Sequence, residues 1–145
     1  MALTVFAATA ATCEIVLGTE QPIADGTLKI QGRVFTDRVE SQDSRIAGTN
    51  VPTLDITINP KSGDGDLQGK FRLKPNTVDG AWEGELQGRF VNGLVTSWGI
   101  ARGSGALLGS VLRIDFQQVV EYPGKPPCED PKAFFEMRGL ILEQD

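Results

Sequence analysis

Histidine is absent from all 145 residues. Its absence removes Ser-His-Asp and Cys-His catalysis in their usual forms, and with them nearly every zinc, copper or non-haem iron site. Tyrosine occurs once, and cysteine, methionine and tryptophan twice each. No apolar run reaches the ~18 residues of a membrane span, so none is expected. The apolar opening stretch, residues 1–12, has no Lys or Arg ahead of Lys29. A signal peptide wants a basic start, so this stretch reads as part of the mature fold. Basic residues are outnumbered 14 to 19 by acidic ones, giving a net charge of −5. Without a basic face, phosphate-backbone binding lacks its electrostatic footprint, and nucleic acid is not expected as a partner. No P-loop, dinucleotide fingerprint or CxxC is present, and no cofactor is called for. Asp64-Gly65-Asp66 with Ser62 lacks the further acidic ligands of a calcium loop, so no metal site is expected.

The two cysteines, Cys13 and Cys128, allow two readings. Two reduced, buried thiols fit a cytoplasmic protein. A disulfide tying the amino-terminal strand to a late Pro-rich loop fits an exported one. A bridge closing so long a loop is worth ~4–5 kcal/mol on the chain-entropy estimate.

Glycine, by contrast, is abundant: 17 residues against the usual ~7 %. Much of it falls in a repeat. Asp64-Gly65-Asp66-Leu67-Gln68-Gly69-Lys70-Phe71 is followed nineteen residues later by Glu83-Gly84-Glu85-Leu86-Gln87-Gly88-Arg89-Phe90. Gly105-Ala106-Leu107-Leu108-Gly109-Ser110-Val111 is a looser third copy. In an extended strand, Gly, Leu, Gly and Phe share one face, and the charged and amide residues share the other. Glycine inside apolar alternation acts as a curvature device.

Further strands are predicted along the chain. Leu3–Ala7 opens it, with Cys13–Leu17 as an extension or a plug, and Gly18–Gly26 is a loop by turn chemistry. Leu28-x-Ile30-x-Gly32-x-Val34 alternates cleanly. Thr36–Asn50 is polar and reads as a long loop or an edge strand. Leu54-x-Ile56-x-Ile58 and Leu94-x-Thr96-x-Trp98-x-Ile100 alternate as well, and Asn92-Gly93 is a strong hairpin turn. Across Ala106–Val120 the phase is ambiguous. Either a β-bulge near Gly109 shifts the register, placing Leu112, Ile114 and Phe116 inside, or Arg113 and Asp115 enter the core as a pair. The last strand, Ala133–Glu143, is apolar on both faces.

About eight strands, meander turns and no helical stretch predict an all-β fold: one antiparallel β-barrel spanning residues 1–145. Such a barrel is just wide enough to be filled by side chains or to hold one small ligand. The Gly-rich repeat, the lack of helix and the run Gly103-Ser104-Gly105-Ala106-Leu107-Leu108-Gly109 resemble the allene oxide cyclase and dirigent type of lipocalin-like barrel. The likeness covers roughly residues 26–120. Gly80-Ala81-Trp82-Glu83-Gly84 is also similar to a segment of Gly-rich bacterial barrel proteins. The resemblance implies an oligomer and a pocket in the lumen. It transfers no catalytic residue, because the cyclase carboxylate has no secure counterpart here.

Three functions follow as expectations. The first is binding of a small hydrophobic molecule in an apolar lumen, with Phe71, Trp82, Leu86, Phe90, Trp98, Phe116, Phe135 and Met137 as ligand contacts. The second is a cofactor-independent cyclase or isomerase, in which orientation of the substrate supplies most of the rate. It needs inward polar groups such as Thr36, Thr96 or Gln118. Arg113 with Asp115, and Glu136 with Arg138, are the candidate catalytic pairs, provided they point inward. The third is a filled structural barrel that associates with further copies through Phe134, Leu140 and Leu142 of the last strand.

Overall fold

The computed structural model describes residues 2–143. Nine antiparallel strands are present: β1 (Ala2–Val16), β2 (Thr19–Pro22), β3 (Leu28–Ser41), β4 (Gly48–Asn59), β5 (Asp64–Pro75), β6 (Trp82–Val91), β7 (Leu94–Gly103), β8 (Val111–Val119) and β9 (Ala133–Glu143). They form a meander from β3 to β9, and β1 pairs with both β9 and β3. That double pairing closes an eight-stranded antiparallel barrel of the lipocalin-like kind. The short β2 lies outside the closure and pairs only with the start of β3.

The repeat explains itself in the register of β5 and β6. Gly65 opposes Phe90, Leu67 opposes Gly88, Gly69 opposes Leu86, and Phe71 opposes Gly84. The two copies run antiparallel, so each glycine meets the large residue of the other copy. The alternation continues around the wall as Leu54, Gly69, Leu86, Gly99, Ile114, Gly139 and Phe6, each the cross-strand neighbour of the next. Large and small residues thereby alternate across the strands. The glycines leave no void. A Cβ at Gly84 would lie 1.9 Å from the Ile100 carbonyl oxygen, and one at Gly139 would lie 2.1 Å from that of Arg113. Glycine here allows close approach of backbones and so closes the wall.

Three local expectations are corrected. First, the polar stretch Thr36–Asn50 is neither a long loop nor an edge: it is strand at both ends, paired on two sides, with a turn at residues 42–47. β3 runs on to Ser41 and β4 begins at Gly48. A bulge between Ile30 and Arg33, with Gly32 at φ 66°, shifts the phase of β3. Arg33, Phe35, Asp37 and Val39 therefore take the inner face, and Val34 the outer one. Second, Gly105–Leu107 is a 3-10 turn, and β8 starts at Val111. The phase ambiguity is resolved by this turn and not by a bulge, and it leaves Leu112, Ile114 and Phe116 inside. Third, β7 presents Ser97, Gly99 and Ala101 inward, while Trp98 and Ile100 lie on the outer wall. The reason is volume: a Cβ at Gly99 would already touch Phe71 and Leu86. The Asn92-Gly93 turn forms as expected, with φ of 52° and 81°.

One end of the barrel is sealed. Trp82, Leu73, Pro75, Ala81 and Ile46 are fully buried there, with Leu107 of the 3-10 turn over them. The Trp82 indole N–H donates to the Arg45 carbonyl at 2.9 Å. Arg45 in turn donates to Asp43 at 2.7 Å and pairs with Glu143, pinning the β3–β4 turn. The Arg45 guanidinium, mainly through its hydrogen bond, holds the Asp43 carboxyl below its usual range.

Cys13 and Cys128 form a disulfide that spans 115 residues of sequence. Cys13 sits at a register shift in β1, between Thr12 and Glu14. The β8–β9 loop is fastened there. Lys132 N–H donates to the Thr12 carbonyl at 2.7 Å, and Tyr122 accepts from Thr9 at 3.0 Å while donating to Glu40.

Candidate functional site

The other half of the barrel holds a cavity of about 220 Å³. Its walls are apolar: Ile15, Phe35, Leu54, Ile56, Leu67, Leu86, Phe90, Val95, Phe116 and Phe135 line it. Phe35, Phe90, Val95 and Phe135 are only half-buried and Gly93 is exposed, so this end opens to solvent.

Its inner end is polar. Thr12 of β1 pairs with Asp37 of β3, and Asp37 pairs with Asn50 of β4. Direct cross-strand neighbours share a face, so three polar side chains meet inside the barrel. The Thr12 hydroxyl donates to Asp37 Oδ1 at 2.7 Å, and Asn50 Nδ2 donates to Asp37 Oδ2 at 3.4 Å. All three residues are buried. Loss of hydration dominates the electrostatics and pushes the Asp37 carboxyl up from 3.8 to about 6, the two hydrogen bonds pulling weakly the other way. Asn50 Oδ1 is buried and has no hydrogen-bond partner. A buried acceptor left unpaired costs ~1–3 kcal/mol.

Three further polar residues line the cavity, Ser97, Gln118 and Arg33. The Gln118 carbonyl accepts from Val95 N–H at 3.0 Å. Arg33 donates to Glu20 at 2.6 Å and to the Leu17 carbonyl at 3.1 Å, so its charge is already matched. Among the described residues, Asp37 and Arg33 are the only ionisable side chains on the lining.

The residues singled out from sequence divide sharply. Leu86, Phe90, Phe116 and Phe135 line the cavity. Phe71, Trp82 and Met137 are buried in packed core, and Trp98 lies on the outer wall beside Gln87, Lys70 and Arg113. The catalytic candidates Arg113, Asp115, Glu136 and Arg138 are all exposed, and Arg113 pairs with Asp115 at 3.5 Å on the outside. Their phase follows Leu112, Ile114, Phe116 and Met137, whose burial decides which way the strands face. Of the inward polar groups, Gln118 reaches the cavity, while Thr36 and Thr96 belong to the outer rows beside Glu14 and Arg89. Asp37, one position past Thr36, was missed, because the bulge at Gly32 moves the phase by one residue. The alternation Phe35-x-Asp37-x-Val39 was the signal that an acid shares a face with two apolar side chains.

The outer wall carries rows of charge such as Lys70, Glu85 and Arg113. A lipid-facing barrel has the reverse, an apolar outside around a polar lumen. Among the described residues no helix is long and apolar enough to cross a membrane, and no group of three or more acidic, Cys or His side chains is placed to hold a metal. Compared with protein families, curated proteins and solved structures, the chain matches none.

Proposed function

We propose that the barrel binds a small hydrophobic molecule in its open half. The observation that carries this reading is the apolar cavity itself, walled by leucine, isoleucine and phenylalanine and ending on a compact polar cluster. Largely apolar, concave walls with a few convergent polar groups are the usual anatomy of a ligand site. The volume limits the ligand. A dry apolar cavity of about 150 Å³ takes up benzene, so 220 Å³ suits one ring with a short substituent, not a long acyl chain or a polyene. Calorimetric titration with single-ring apolar compounds tests the reading. Saturable binding that is lost on filling the cavity with Val95→Trp is expected. A lumen that takes up none of them would end it.

A second reading is a cofactor-independent cyclase or isomerase of the allene oxide cyclase type. It has one specific support: the cavity holds a buried carboxyl, Asp37, flanked by two donors, and an acid whose pKa is raised toward neutrality suits proton transfer. Turnover of a ring-closing substrate that disappears in Asp37→Ala is the outcome it needs. The disulfide supports export to an oxidising compartment. Exposed Leu3, Val5 and Leu140, on the neighbouring strands β1 and β9 of the outer wall, support association between copies. Solution scattering that finds only monomer would remove that part.

A further inference from the structure

We infer that the ligand is a small hydrophobic amine whose ammonium group seats between the Asp37 carboxylate and the Asn50 side-chain carbonyl. The inference rests on the lumen being a binding site and names the chemistry of what enters it. Three observations carry it. First, what remains unused at the inner end of the cavity is acceptor capacity. Thr12 spends its hydroxyl donor and Asn50 one of its two amide N–H groups on Asp37, while Asn50 Oδ1 has no partner. With Asp37 ionised, this network orients the Asn50 amide, since turning it over would set its oxygen against the carboxylate. Second, the site holds one buried acidic group without a buried cation. Arg33 at the rim already answers Glu20 and the Leu17 carbonyl, and among the described residues no other ionisable group lines the cavity. An ionised carboxylate in apolar surroundings is costly unless paired. Third, the remaining wall is apolar and suits the body of such a molecule.

An ammonium group satisfies all three. It brings charge to the carboxylate and has N–H donors for both Asp37 and Asn50 Oδ1. A hydroxyl has a single donor for two acceptors and no charge. A carboxylate ligand would meet like charge. The carboxyl's value of about 6 leaves it mostly ionised at neutral pH, where an aliphatic amine is protonated. Amine binding therefore strengthens as pH rises through that value.

The test uses three molecules of one shape, 2-phenylethylamine, 2-phenylethanol and n-propylbenzene, titrated calorimetrically into the intact oxidised protein. At about pH 7.5 the amine is expected to bind at least about tenfold more tightly than the other two. Its lead should shrink near pH 5 and vanish in Asp37→Asn, with the hydrocarbon unaffected. Equal binding of all three in the wild type overturns the amine assignment and leaves the lumen reading intact. Binding of none overturns both. An amine lead that survives Asp37→Asn, or that is flat from about pH 5 to 7.5, places the ammonium elsewhere and also overturns it. Should Asp37→Asn fail to fold, the wild-type pH profile and the preference series decide alone.

Discussion

Asp37 is a carboxyl kept in an apolar lumen against its hydration. Its folded value of about 6 against an ordinary 3.8 sets how stability varies with pH. Below about 4 both folded and unfolded chains hold the proton, and the group costs little. Between about 4 and 6 the unfolded chain releases the proton first, so this group's contribution falls as pH rises. Above about 6 a constant penalty on the order of 2–3 kcal/mol remains. Asp37→Asn keeps the shape and removes the charge. It is expected to raise stability by about 1–3 kcal/mol near pH 8 and by nearly nothing near pH 4. Urea unfolding at the two pH values measures both. A stabilised variant with impaired ligand binding is the pattern of a site maintained at a cost to the fold. Trp82, fully buried at the sealed end with its N–H on the Arg45 carbonyl, has the opposite role. Trp82→Ala should cost about 3–5 kcal/mol in the same assay.

At the scale of strands, the paired repeat explains why glycine recurs where it does. Gly84→Ala would set a methyl group 1.9 Å from the Ile100 carbonyl oxygen and 2.6 Å from the Ala101 Cα. These are backbone atoms, so β6 and β7 must separate. A loss of about 2–3 kcal/mol or more is expected, measured by chemical denaturation. The repeat was legible in the sequence because its two copies keep strict alternation from Gly65 to Phe71 and from Gly84 to Phe90. The strands that depart from strict alternation were not. In β3 the Gly32 bulge moves Asp37 inward, and in β7 the apolar residues Trp98 and Ile100 mislead because packing reserves the inner positions for Ser97, Gly99 and Ala101. Hydrophobicity marks a face reliably when each strand is read alone. Here the volumes of Phe71 and Leu86, on other strands, decide which residues of β7 fit inside. The polar cluster fell into the same gap: Thr12, Asp37 and Asn50 come from three strands and become a group only through register.

Taken whole, the molecule is a barrel packed solid at one end and open at the other, with a covalent tie beside the boundary. The tie joins the β8–β9 loop to β1 one residue from Thr12. Removing it with Cys13→Ser and Cys128→Ser frees a 115-residue loop. The chain-entropy estimate gives a loss of about 4–5 kcal/mol, or a melting temperature lower by roughly 10–20 °C. Thermal unfolding followed by circular dichroism checks it, and an unchanged melting temperature would assign the bridge no stabilising role.

The placement of the aromatic residues also has an optical consequence. Trp82 is sealed in the closed end, Trp98 lies on the outer wall, and Tyr122 packs on the loop outside β1. The four aromatic rings that face the cavity are phenylalanines. The lumen is thus nearly dark in ultraviolet emission. Indole fluorescence will report whether the closed end is intact and stay silent about occupancy, so a screen based on it would pass over true ligands.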